Sequence, residues 1–338
     1  QWGPDCLEKL NGIFAFAVWE HETKRLFVAR DRMGVKPLFY SMTKSGFVFA
    51  SEIKALLEHS EIEPVIDTRS LAEIMIIGPG RTPGCGVFKG ISEIRPAHYA
   101  YYDETGLTIH RYWNVEAHEH SDSFEQTAEK VRYLVTDSIK RQLVSDVPLC
   151  TFLSGGLDSS LISSVTNGEF KKRGEVLHTF SVDYKDNEKY FKKSKFQPNS
   201  DPEFIRIMEK YLGGVHHRIV IDTDELVNAL YCAVDARDLP GMADVDASML
   251  LLCKAIKEQG TVALSGECAD EIFGGYPWYR DPEVRAREGF PWAQNTMDRA
   301  AILTPAITLD PAEFVMDAYN QTCRESDILP GTSDQERR

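Results

Sequence analysis

Ser154-Gly155-Gly156-Leu157-Asp158-Ser159-Ser160 decides how this 338-residue chain is read. Residues 147–153 before it are an apolar run that predicts a buried strand, and residues 157–165 after it predict a helix. Two glycines let the backbone turn sharply and come close to a ligand. The free N–H groups of the helix's first turn, aided by the macrodipole, favour an anion by about 0.3–1 kcal/mol, rising to ~2 when partly buried. Ser154, Ser159 and Ser160 add hydroxyl donors, and pyrophosphate is the natural guest of such a turn. The plain alternative is a glycine-bearing strand–helix turn capped by serine. Against it stand the missing lysine of a G-x-x-x-x-G-K-S/T loop and the presence of Asp158, which repels phosphate unless a divalent cation lies between. Mg²⁺ takes one or two carboxylates plus phosphate oxygens, so a second carboxylate is expected at another strand end.

Ser265-Gly266-Glu267-Cys268-Ala269-Asp270-Glu271 supplies it. It follows the short apolar run Val262-Ala263-Leu264 and leads into Gly274-Gly275-Tyr276. Asp270 is expected to share the metal with Asp158, and Glu267 to position or deprotonate a nucleophile. Any one of these acids alone reads as a solvated helix-start carboxylate; two such clusters at equivalent strand ends do not.

Outward from these loops, strands and helices alternate. Strand-like runs lie at 177–182, 217–221 and 262–264, with helical patterns at 203–212, 225–234 and 248–257. That alternation predicts a doubly wound parallel sheet covered on both faces. Ser123 with Gln126 is a capping-box pattern, and Phe124, Ala128, Val131, Val135, Ile139 and Leu143 form an amphipathic stripe. The Lys-rich stretch between Asp183 and Asp201 reads as a mobile surface loop. Before the polar segment 116–123, taken as a linker, the grammar differs. Residues 12–19, 26–29 and 47–50 read as a meander of buried strands, 52–57 as a short helix, 78–90 as a Gly/Pro-rich loop and 99–113 as further β structure. Lys and Arg number 38 against 52 Asp and Glu, a net charge of −14. That balance argues against nucleic-acid binding, and no apolar run reaches membrane length. Seven scattered cysteines without a C-x-x-C pair fit the reduced thiols of a cytoplasmic protein.

The residues also resemble a known family. SGGLDSS (Ser154 to Ser160) is similar to the pyrophosphate loop of the N-type ATP pyrophosphatases. With LSGECADEIFGGY (Leu264 to Tyr276) it resembles glutamine-dependent asparagine synthetase of the B type. Residues 2–19, RDRMGVKPLFY (Arg30 to Tyr40) and ASEIKALL (Ala50 to Leu57) resemble the later half of that family's α+β, Ntn-type class II glutaminase domain. The resemblance implies a partial glutamine amidotransferase domain over 1–117 and a partial ATP pyrophosphatase domain over 118–338. It implies that ATP and Mg²⁺ meet the loop at Asp158 and Asp270. Backbone groups near Phe152, Leu153, Val182, Ser265 and Gly266 would hold AMP, and Glu267 would lie beside the aspartyl-adenylate. Aspartate would be adenylated with loss of pyrophosphate, and ammonia from glutamine would then displace AMP to give asparagine. Asp5 matches the residue that pairs with the α-ammonium of glutamine, whereas its own sequence context reads as a turn aspartate after Pro4. Arg30, Asp31 and Lys36 read as structural members of a turn, and His216-His217 as a structural strand-edge pair. Family relatives imply a homodimer.

The chain departs from the family pattern at both ends. It lacks the N-terminal nucleophilic Cys, the early Arg and the Asn-Gly of the glutaminase site, and it stops before a lysine of the synthetase site. It therefore reads as a fragment without glutaminase activity of its own. Two competing readings keep part of the pattern. One is an amide ligase of the β-lactam-synthetase or peptide-tailoring type with a retired glutaminase domain, distinguished by whether the open reading frame begins Met-Cys-Gly. The other is a degenerate, non-catalytic paralogue, against which the retention of Asp158, Asp270 and Glu267 speaks.

Overall fold

The computed structural model describes residues 2–78, 80–192, 201–304 and 309–326. The chain divides into two units, the first made of Gln1–Glu119, Arg237–Gly241 and Ala286–Arg338, the second of His120–Ala236 and Met242–Arg285.

In the first unit, seven strands form two antiparallel sheets. They are β1 (Ala15–Glu20), β2 (Arg25–Arg30), β3 (Phe39–Thr43), β4 (Gly46–Ala50), β5 (Ile91–Glu93), β6 (His98–Asp103) and β7 (Gly106–Arg111). One sheet runs β1-β2-β6-β7 and the other β4-β3-β5. Val28, Leu38, Ile94 and Ala100 share one core, while Leu7, Phe27 and Ala29 meet Phe16, Tyr99 and Tyr101 in another. The run at 12–19, expected to be buried, is only partly so. β1 is an edge strand, and Val18 and Trp19 are 52% and 54% exposed.

The turn after β2 explains why RDRMGVKP is spelled as it is. Asp31, 1% exposed, accepts backbone N–H bonds from Phe14 (3.3 Å), Met33 (3.2 Å), Val35 (3.0 Å) and Lys36 (3.0 Å). The buried Arg30 guanidinium donates to the carbonyls of Lys36 (2.6 Å), Ile94 (2.7 Å) and Gly34 (2.7 Å) and pairs with Glu93 at 2.9 Å. Gly34 has φ +67°, and a Cβ there would lie 2.6 Å from Pro96 Cγ. These residues hold the turn together, as a structural role requires.

The second unit contains β8 (Leu149–Phe152), β9 (His178–Tyr184), β10 (Val215–Ile221) and β11 (Val262–Leu264), all parallel in the order β10-β9-β8-β11. Alternation along β8 sends neighbours to opposite faces. Cys150 and Phe152 pack with Phe180, Leu252 and Ile256 under the helix Ala243–Lys257. Thr151, fully buried, hydrogen-bonds Ser163 of the helix Leu157–Arg173 at 2.8 Å. Helices therefore cover both faces, the arrangement a parallel sheet needs.

The capping box at Ser123 is present in full, the Gln126 N–H donating to Ser123 Oγ (3.3 Å) and the Ser123 N–H to Gln126 Oε1 (2.8 Å). The stripe that follows is less buried than its spacing predicts. In the helix Phe124–Arg141 only Ile139 is buried, and Phe124 is 83% exposed. The helix meets Leu157–Arg173 near its C-terminal end, where Lys140 pairs with Glu169 at 3.2 Å. Of the Lys-rich loop, Asn187–Tyr190 forms a short helix, and residues 193–200 lie outside the described residues. On the β10 edge, His216 bonds Thr179 Oγ1 (2.8 Å) and Ser181 Oγ (3.0 Å), while His217 stacks on Phe180 and bonds His178 at 2.9 Å. Burial holds both imidazoles below the usual histidine range.

Candidate nucleotide and metal site

From β8 the chain builds β9 and β10 to one side, then returns to add β11 on the other. The reversal lies between β8 and β11, and open α/β sheets bind ligands outside the carboxyl ends of strands at such a point. The two loops singled out in the sequence both leave the sheet there.

After β8, Leu153 is fully buried and continues the ladder, its N–H donating to the Phe180 carbonyl at 2.8 Å. Ser154 then closes a small hydroxyl knot. Its Oγ lies 2.9 Å from Ser159 Oγ and accepts the Gly156 N–H at 3.3 Å. Gly155 has φ +80°, and a Cβ on it would lie 2.8 Å from Phe204 Cβ and 2.9 Å from the Ile205 nitrogen. Only glycine satisfies both constraints. Gly156 is the N-cap of the 17-residue helix Leu157–Arg173 and supplies no side-chain cap, so the first-turn N–H groups are offered outward. Leu157 is 83% exposed, Ser159 is buried, and Asp158 and Ser160 are half-buried.

After β11, Gly266 lies against the first loop. A Cβ there would be 2.9 Å from Asp158 Cβ and 3.2 Å from the Ser159 nitrogen. Ser265 Oγ accepts the Glu267 N–H at 3.1 Å, and Glu267 itself is exposed. Cys268, at φ +72°, turns the chain into the short helix Ala269–Phe273, which carries Asp270 and Glu271. Gly275 fits directly over Asp270, where a Cβ would be 1.7 Å from the carboxylate Oδ1. Tyr276 donates to Glu271 Oε1 at 2.9 Å and stacks on Trp278 with 4.3 Å between ring centroids. Burial, and then the neighbouring Glu271, push the Tyr276 hydroxyl well above its usual range.

The charge of Asp270 reaches Asp158 across the two loops. Burial raises the Asp158 carboxyl above the usual carboxylate range, and the Asp270 charge raises it further. A cation between the two would relieve that repulsion. Among the described residues no group of three or more His, Cys, Asp or Glu side chains is arranged to hold a metal. Two carboxylates are the complement Mg²⁺ takes when waters and phosphate oxygens complete its octahedron, so the donor chemistry fits that ion.

Val182, the last AMP-facing candidate, is half-buried near the carboxyl end of β9, beside β8. Asp5, in the first unit, is exposed at the junction of the short 3₁₀-helix Gly3–Asp5 and the one-turn α-helix Cys6–Lys9 and makes no side-chain capping bond. Sequence reasoning missed Phe204 and the ion pair between Arg218 and Asp183 that ties the end of β9 to β10. Neither carries a local signal, because each meets the site only through tertiary packing.

The family model described as asparagine synthase matches residues 130–329, and that described as a glutamine amidotransferase domain matches residues 1–113. Asparagine synthetase [glutamine-hydrolyzing] 3 of Bacillus subtilis (strain 168) is 52% identical over 334 residues, 98% of this chain and 54% of that protein. Asparagine synthetase [glutamine-hydrolyzing] 1 of the same organism is 31% identical, covering 82% of this chain and 42% of its own length. Amidase chry2 of Gibberella zeae is 29% identical over 82% of this chain and 42% of its own. The chain spans about half the length of the curated relatives it matches.

Proposed function

The chain belongs to the asparagine synthase family, and from that premise we propose that the protein of which it forms part makes asparagine from aspartate, ATP and ammonia, the ammonia coming from glutamine. Residues 1–117 are assigned to the glutamine amidotransferase domain and 118–338 to the synthetase domain. The observation that carries the reading is the contact of two acid-bearing loops, through Gly266 and Asp158, at the reversal of the parallel sheet.

The triphosphate lies along Ser154 to Ser160, its α,β-phosphates on the open first turn of the helix. Backbone groups at Phe152, Leu153, Val182, Ser265 and Gly266 line the adenosine. Asp158 and Asp270 would hold Mg²⁺, which when bound neutralises phosphate charge against the incoming carboxylate. The β-carboxylate of aspartate attacks the α-phosphorus, the bond to the bridging oxygen breaks, and pyrophosphate leaves. A free carboxylate is a poor acyl donor, and adenylation gives it a good leaving group. Glu267 is exposed and directly follows Gly266, which packs on Asp158. It orders the adenylate and takes a proton as ammonia adds to the carbonyl carbon and AMP departs. Preorganised N–H donors contribute about 2.7–4 kcal/mol each to such transition states. Asp5 pairs with the α-ammonium of glutamine in the glutaminase domain. No helix among the described residues is long and apolar enough to cross a membrane, and we place the enzyme in the cytoplasm as a homodimer.

The test is pyrophosphate release by the full-length protein. It should require both ATP and aspartate, and AMP should appear with asparagine when ammonium or glutamine is added. Release in which another carboxylate replaces aspartate at equal rate would overturn the substrate; no release at all would overturn the reaction.

A further inference from the structure

The first unit holds a cleft of about 610 Å³ that the proposed reaction does not use. It is assembled from the turn after β2, the segment before β6, the end of β7 and the helix Pro311–Glu325. Three guanidiniums line it, those of Arg32, Arg95 and Arg111, in a chain whose net charge is −14. They are not equally engaged. The Glu325 carboxylate is taken by Arg95 and by Gln321 Nε2 at 3.0 Å. The Arg111 side chain, exposed at the end of β7, makes no hydrogen bond or ion pair among the described residues. It is nonetheless close enough to Glu325 to help hold that carboxyl at about 2. Arg32 lies over Trp113, 5.8 Å from the ring centroid, and makes one long bond of 3.4 Å to the Glu8 carbonyl. Its Nε is buried without an acceptor, and a buried donor left unmatched is costly. The remaining wall is mixed: Pro83, Pro96 and Val115 lie beside Trp113, with polar side chains that include His98, Asn114 and the exposed Glu116.

A cleft of this volume with an aromatic and apolar wall and a few convergent polar groups is a usual form of small-molecule site. A guanidinium fork matches carboxylate and phosphate alike. We propose that this cleft binds a small organic anion, an acid group on a flat apolar body. Arg111 takes the acid, Arg32 moves from the Glu8 carbonyl to join it, and the Trp113–Pro96 wall takes the body. The residues given a role here, Arg32, Pro96, Arg111 and Trp113, all precede the stretch assigned to the synthetase domain, although the helix Pro311–Glu325 that completes the cleft falls within it.

Isothermal titration of the protein with phenyl phosphate, with benzoate and with benzyl alcohol tests it. Saturable one-site heat is expected from at least one of the two acids and none from the neutral alcohol. Arg111→Ala should weaken the acid at least tenfold, and Arg32→Ala should do the same. Arg111→Gln serves as a second variant should the alanine protein fail to fold. Whichever acid binds tighter identifies the headgroup. No saturable heat from either acid, heat that the Arg111 variants leave unchanged, or equal binding of benzyl alcohol overturns the site.

Discussion

Replacing Gly266 by alanine adds one methyl where the two acidic loops touch. The new carbon would lie 2.9 Å from Asp158 Cβ, 3.2 Å from the Ser159 nitrogen and 3.3 Å from the Asp158 carbonyl carbon. Carbon atoms settle at about 3.5–4.0 Å, so the loops must part by roughly 0.6 Å or more. Two neighbours are backbone atoms of a helix start, which cannot swing aside as a side-chain tip can. Overpacking of this kind costs about 1–3 kcal/mol, which lowers the midpoint of a domain this size by about 2–12 °C. The effect on chemistry should exceed the effect on stability. A misplacement approaching 1 Å costs about 10²-fold, so aspartate-dependent pyrophosphate release by the full-length protein should fall between about 10- and 100-fold under conditions where it remains folded. Gly214→Ala is the control. Its Cβ would lie 2.4 Å from the Leu177 carbonyl, at the amino ends of β9 and β10. It should destabilise at least as much yet leave ATP affinity per folded molecule intact. A Gly266→Ala enzyme that releases pyrophosphate at the parent rate, with unchanged ATP affinity, would refute the reasoning.

Further outcomes follow from other contacts. Asp270→Asn should raise the Mg²⁺ concentration needed for half-maximal pyrophosphate release and lower the rate by about 10²-fold or more, while chelation of the metal should abolish release; a variant with the parent Mg²⁺ dependence would contradict the shared-metal assignment. Arg30→Ala leaves the buried Glu93 with only the longer Arg81 contact at 3.6 Å and frees three carbonyls, so chemical denaturation should show a loss towards the lower end of about 3–5 kcal/mol in the first unit. Arg95 and Gln321 hold the folded Glu325 carboxyl at about 2, well below its ordinary value. Its stabilisation is thus complete above an unfolded value of about 4.3 and fades as pH falls from there towards 2. Glu325→Gln should flatten the thermal midpoint over that window and leave the midpoint's slope at pH 6–8 unchanged. Ser123→Ala removes the reciprocal cap of Phe124–Arg141 and should cost about 1 kcal/mol, read as lost helicity at elevated temperature.

The parallel sheet and its two loops were legible because the chain writes them locally. An apolar run, glycines and a helix start sit in sequence at 149–160, and β11 occupies the expected residues 262–264. The Ser123 cap was legible for the same reason, its partners being three residues apart. What the sequence could not show is the packing between distant segments. Gly155 is confined by Phe204, 49 positions on, and Gly266 by Asp158, more than 100 positions back. Nothing near either glycine records its neighbour. The stripe from Phe124 to Leu143 has helical spacing, but spacing predicts a face and not its cover, so only its end is buried. The placement of Arg237–Gly241 with the first unit rests on Asp238, which accepts the Ile53 N–H at 2.6 Å and pairs with Lys54 at 2.8 Å. The arginine cleft escaped notice because Arg32, Arg95 and Arg111 are each unremarkable in sequence and converge only in the fold.

The most direct measurement is a crystal structure of the protein with Mn²⁺ and a non-hydrolysable ATP analogue, the ion located by its anomalous signal. A manganese peak bridged by the carboxylates of Asp158 and Asp270, with phosphate oxygens on the amides that open Leu157–Arg173, is the predicted result. A peak elsewhere, or the two carboxylates turned to opposite sides with nucleotide bound, would contradict the account.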